Sequence, residues 1–184
     1  MFFDAGYEGA SLDVLIAWVG GSKHTLYRAF GSMAGLFATL ATVQVTQALE
    51  VLAPDDPRGH DLHAILLEFG RRLMRMQMSA TVLALYRVVV AEGARFPEPI
   101  RVFFDNGPGR ASVRLAEVLN LARGRGEVEI ADCRQAAGHF IGMLRDNRHL
   151  QVVLGLRLPP CPMEAERLVH EAVTTFLDGV RSRR

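Results

Sequence analysis

Cysteine is nearly missing from this 184-residue chain, with Cys133 and Cys161 the only two. Two thiols so far apart exclude a disulfide-stapled scaffold, and reduced thiols are the expectation. An excess of charge is missing too. The net charge of +1 provides no global field to draw the chain onto nucleic acid or an acidic membrane. Any DNA contact must therefore come from local placement of a few cations. No apolar run approaches the roughly 18 residues of a membrane span. The opening MFFDAGYEGAS has neither the basic nor the apolar region of a targeting peptide. These absences point to a soluble, cytoplasmic protein with no membrane partner. Runs of alternating β-branched residues are also absent, which argues against strands.

What the chain does have is apolar content and helical period. It is 49% hydrophobic and 22% charged, ample for a buried core and wrong for disorder. Helical periodicity runs nearly throughout, punctuated by Gly and Pro clusters such as Gly20-Gly21, Pro54-Asp55-Asp56-Pro57, Asn106-Gly107-Pro108-Gly109 and Pro159-Pro160-Cys161-Pro162. Between them helices are expected near 11–19, 22–29, 33–52, 59–78, 81–94, 98–105, 110–123, 131–154 and 163–181. The fold class is all-α. A boundary is expected near residue 40, inside a continuous helix, dividing a small domain at 1–40 from a larger one at 41–184.

The first two expected helices are short and joined by a tight turn. Ser11 suits an N-cap, with Asp13 in the first turn complementing the helix dipole. Gly20-Gly21 ends that helix and Ser22 caps the next. Helix, glycine turn and second helix form the helix-turn-helix pattern. In the second helix Leu26 and Phe30 are four apart and share one face, so they anchor it. Lys23, His24, Thr25, Tyr27 and Arg28 lie around the remaining surface.

The stretch DAGYEGASLDVLIAWVGGSKHTLYRAFGSMAGLF resembles the DNA-binding segment of the tetracycline-repressor (TetR) family of transcriptional regulators. A Gly-Tyr corner, a capped helix, a glycine turn, a Ser-Lys-x-Thr-Leu-Tyr-x-x-Phe helix and a Gly-Ser cap follow in the family's order. AEGARFPEPIRVFFDNGPGR and the last two helices resemble the ligand-binding and dimerisation domain of one subgroup. The resemblance implies double-stranded DNA as partner, with Ser11, Ser22, Lys23, His24, Thr25, Tyr27 and Arg28 at the interface. It also implies a small-molecule effector and a homodimer reading a palindromic operator, since two heads about one DNA turn apart need two-fold symmetry. Repression is the family's common mode.

The sequence departs from the family pattern in places. Met1-Phe2-Phe3 aligns with the last turn of the family's first helix, so that helix is expected to be incomplete through a truncated or misassigned start. Met33 stands where a phosphate-contacting Lys is usual. Lys23 and Arg28 face Asp4, Glu8 and Asp13, a net charge of −1 over residues 1–37. Each lost phosphate contact lowers the salt slope by about 0.9, so weaker DNA binding is expected. The competing reading is a degenerate member that acts as a dimeric ligand-binding or interaction module.

In the C-terminal half, Phe140, Leu144, Leu168, Ala172, Val173, Phe176 and Val180 lie on broad apolar faces of the last two helices. They are the expected dimer interface, with Gly138 and Gly142 permitting close approach. A largely apolar pocket is expected among Phe69, Leu73, Met76, Tyr86, Arg87, Val90, Phe103, Phe104, His139, Phe140 and Met143. Arg87, Arg145, His139 and His149 are the polar groups available to orient a ligand. Catalysis finds little support. His60 and His63 flank Asp61, but no further ligand completes a zinc site. Gly107 and Gly109 precede no Lys-Ser/Thr pair, so a phosphate loop is excluded. The expectation is no enzyme, no cofactor and no metal.

Overall fold

The computed structural model describes residues 61–92, 94 and 97–180, with Thr39 alone ahead of them. Six helices follow in order: α1 (Leu62–Gln77), α2 (Ala80–Glu92), α3 (Pro97–Asn106), α4 (Pro108–Gly124), α5 (Cys133–Val153) and α6 (Pro162–Val180). Among the described residues there is no strand, and the fold is all-α. These six helices fall where periodicity and punctuation place them. The helices expected ahead of residue 59, and the boundary expected near residue 40, lie outside the described residues.

Each start has a local cause. Asp61 caps α1, its Oδ1 accepting from the His63 N–H at 3.2 Å. The Asp flanked by His60 and His63 is therefore a capping residue. Pro108 opens α4, where its missing N–H costs nothing. Asp132 caps α5 by accepting from the N–H groups of Arg134 and Gln135 at 2.8 and 3.1 Å. Pro162 opens α6, with Glu164 in its first turn.

The core lies between α1, α4, α5 and α6. α1 packs chiefly on α6, and α4 chiefly on α5. Leu62, Leu66, Phe69, Leu73 and Gln77 form the inward stripe of α1 and are all buried, the spacing of one helix face. Phe140 sits at the centre of the core. Its ring centroid is 6.3 Å from that of Phe69 and 5.2 Å from that of Phe176. The link from α4 to α5 is pinned at both sides. Arg123 donates to the carbonyls of Ile130 and Ala131, and the Glu129 N–H donates to the Val180 carbonyl at 2.8 Å.

The structure corrects the reading of 131–154 as one uninterrupted helix. Asp146 has φ 29° and ψ −170°, a conformation outside the helix, and α5 bends there. The cause is local competition: Asp146 Oδ1 accepts from the Arg148 N–H at 2.6 Å, capping a second helical segment inside the first.

Candidate functional site

The break in α5 frees a carbonyl. In an unbroken helix Leu144 C=O would accept from the Arg148 N–H, which here is turned toward Asp146. Gln77, at the end of α1, supplies the missing donor: its Nε2 lies 3.1 Å from the Leu144 oxygen and 3.6 Å from Met74 Sδ. Gln77 is only 2% exposed, so this bond forms in a low-dielectric interior where an unmet carbonyl is expensive. Gln77 Oε1 nevertheless has no partner, and neither have the buried Nε atoms of Arg145 and Arg148. Native interiors satisfy nearly all such atoms, through protein groups or ordered water, so these three are positions that can take a further polar partner.

Around that cluster, α2 reaches across to the second segment of α5. Arg87 donates from Nε to the Val153 carbonyl at 2.7 Å and from Nη2 to the Val152 carbonyl at 3.1 Å. A cation on the final carbonyls of a helix is favoured by the helix dipole as well. Tyr86 meets the buried His149 edge to face, with centroids 5.3 Å apart. Burial pushes the His149 imidazole below its ordinary pKa, with help from the charge on Arg145, while Asp146 opposes the shift. Burial also penalises the charge of Arg145, which Tyr86 favours. Arg148 is committed elsewhere: its Nη1 pairs with Glu164, which also accepts from Arg157 at 2.7 Å.

The residues expected to line a pocket divide into three groups. Phe69, Leu73 and Phe140 are buried in the core; their surface is spent on each other and on neighbouring helices. Met76, Tyr86, Arg87 and Phe103 are half-buried, Tyr86 and Arg87 facing the bent part of α5. Val90, Phe104, His139 and Met143 are exposed. Phe104 lies over Gly109, where a Cβ would stand 3.2 Å from its ring. Of the polar groups, Arg87, Arg145 and His149 gather at the break, whereas His139 points outward. Gln77 and Asp146 were not picked out from the sequence. Gln77 had a signal, as the single polar residue on the apolar stripe of α1.

The residues expected at a dimer interface are also placed. Phe140, Leu144, Ala172, Val173 and Phe176 are buried within the protomer itself, so they have no surface to offer a partner. Leu168 and Val180 are half-buried at the margin. The outward faces of α5 and α6 are different ones, carrying Gly138, Gly142 and Met143 on α5 and Thr175 and Gly179 on α6. Space beside the three glycines is open. The residues expected to contact DNA, Ser11, Ser22, Lys23, His24, Thr25, Tyr27 and Arg28, lie outside the described residues.

No group of three or more His, Cys, Asp or Glu among the described residues is placed to hold a metal. No single helix among them is long and apolar enough to cross a membrane. The described residues form an all-helical domain closed by the two long helices α5 and α6, with polar atoms left unmet at the break in α5. Residues 64–179 match the family described as "AefR-like transcriptional repressor, C-terminal domain", and the chain belongs to the TetR family of transcriptional regulators, which are not enzymes.

Among solved structures it is similar to the flavonoid-responsive regulator FrrA, with 29% identity over 100% of this chain and 92% of that one, at a TM-score of 0.69. A TetR-family regulator from Mesorhizobium loti shares the fold at 24% identity and TM-score 0.73, over 98% of this chain and 91% of that one. A regulator from Pseudomonas syringae pv. tomato shares it at 24% identity and TM-score 0.66, over 98% and 90%. No curated protein matches the chain.

Proposed function

We propose that this chain is a homodimeric repressor that binds a palindromic double-stranded DNA operator in the cytoplasm and releases it when a small, largely apolar effector binds. The observation that carries this reading is the match of residues 64–179 to the C-terminal domain of a repressor family. In this reading residues 1–40 hold DNA, through Lys23, His24, Thr25 and Arg28 toward bases or phosphates and Tyr27, Ser11 and Ser22 toward the backbone. Residues 41–184 hold the effector and the partner subunit. The outward faces of α5 and α6 meet their symmetry mates, and the bent segment of α5 beside α1 and α2 responds to the effector.

An effector that favours the head spacing unfit for DNA must weaken operator affinity by the factor by which DNA weakens effector binding. A mobility shift on the protein's own promoter tests the reading, with Tyr27→Ala and Arg28→Ala as controls. A retarded band lost in both variants is expected. No band with the intact protein at low salt would overturn sequence-specific binding there.

A further inference from the structure

The polar cluster at the break in α5 carries information about the effector's chemistry. A cation withdrawn from water is costly unless a counter-charge meets it. Arg145 has a buried Nε without a partner among the described residues, and neither Asp146 nor Glu164 pairs with it. Asp146 accepts from the Arg148 N–H, and Glu164 is taken by Arg148 and Arg157. The other guanidinium reaching this region, Arg87, is spent on the carbonyls of Val152 and Val153. The neighbouring His149 is held toward its neutral form by burial, so it adds no second cation and presents an apolar edge beside Tyr86. Among the described residues, Arg145 is thus the cation at the break that no carboxylate or carbonyl meets. Gln77 Oε1, an unmet acceptor, belongs to the amide whose Nε2 binds the carbonyl of Leu144, the residue before Arg145.

We propose that Arg145 recognises an anionic group on the effector, so that the effector is an apolar organic acid whose N–H or O–H donor meets Gln77 Oε1. The inference deepens the proposed effector role and rests on it. A charge-assisted bond to a guanidinium is roughly twice as strong as a neutral one, and it is stronger still where water is excluded. The anion would also relieve the penalty that burial places on Arg145. Such a site discriminates by charge: a neutral molecule of the same shape leaves the guanidinium unmet.

The test uses the full chain and two fluorescent probes that share an aromatic body and an N–H donor. One, 1-anilinonaphthalene-8-sulfonate, carries an anionic group; the other, N-phenyl-1-naphthylamine, does not. Both are titrated against the wild type, Arg145→Met and Arg145→Lys. The expected result is saturable binding of the sulfonate that weakens at least tenfold in Arg145→Met and less in Arg145→Lys. The neutral probe should change less than twofold in either variant. Equal weakening of both probes would show that Arg145→Met damages the pocket generally, and it would overturn the proposal. So would unchanged sulfonate affinity in Arg145→Met, or no saturable sulfonate binding by the wild type. Operator binding of the same variants is measured in parallel by mobility shift. A retained shift leaves the repressor reading standing even where charge recognition fails.

Discussion

Gly70 in α1 approaches Val169 in α6 so closely that a Cβ added at Gly70 would stand 2.8 Å from Val169 Cγ1. Val169 is β-branched and 1% exposed, so it has neither rotamer freedom nor space to give way. This contact sets how near the two helices lie. Gly70→Ala should therefore destabilise the protein by about 1–3 kcal/mol through overpacking, less the ~1 kcal/mol that alanine gains over glycine inside a helix. Urea unfolding followed by circular dichroism measures the difference, and a variant more stable than the wild type would contradict the close approach.

Gly142 gives the opposite sign. A Cβ there meets nothing within 4 Å, so in an isolated protomer Gly142→Ala should stabilise α5 by about 0.5–1 kcal/mol. If a symmetry mate covers this face, the added methyl groups stand in the interface instead. The expected outcome is weaker self-association in analytical ultracentrifugation, with helix content retained. Unchanged self-association would move the partner surface away from this glycine.

The helices were legible because apolar periodicity and Pro or Gly punctuation are properties of short segments. The direction of an apolar face is not such a property. The repeat through Phe140, Leu144, Ala172, Val173 and Phe176 reads equally well as a partner surface or as a protomer core. Only the placement of α1 against α6, with Phe69 stacked on Phe140, decides for the core. The polar site was half legible. Arg145, His149 and Arg87 stood out as ionisable groups on apolar helices, whereas Gln77 acquires its role from a carbonyl on α5 that is freed 67 residues later in the chain. The break itself rests on a single Asp side chain outbidding the helical hydrogen bond, a competition that periodicity does not register.

That competition can be tested at Asp146. Its φ of 29° lies where a side chain is strained, at a cost of order 1–3 kcal/mol, and Oδ1 offsets part of this by capping the Arg148 N–H. Asp146→Asn keeps an acceptor oxygen and should stay within about 0.5 kcal/mol of the wild type. Asp146→Gly loses the cap and relieves the strain. Asp146→Ala loses the cap and keeps the strain, so it should be the least stable of the three. Thermal unfolding ranks them; equal stability of the Ala and Asn variants would mean that the cap does not hold the break.

His149 couples stability to pH, and the sign follows from burial. Its folded-state pKa is pushed down, first by desolvation and then by the charge on Arg145, against a smaller opposing effect of Asp146. In the unfolded chain an imidazole titrates near about 6.5. As pH falls below that value the unfolded state takes up a proton that the folded state refuses, so folding stability declines. The decline ends once pH passes below the depressed folded value, where both states carry the proton. Stability from this group is therefore fully present above about pH 6.5 and is lost on acidification. His149→Phe keeps an aromatic ring against Tyr86 and cannot titrate. Between pH 7 and pH 5 its unfolding midpoint should fall less steeply than that of the wild type, the carboxylates contributing equally to both. Parallel slopes would mean that His149 takes up its proton as readily in the folded protein as in the unfolded chain, and would place its ring in water rather than against Tyr86.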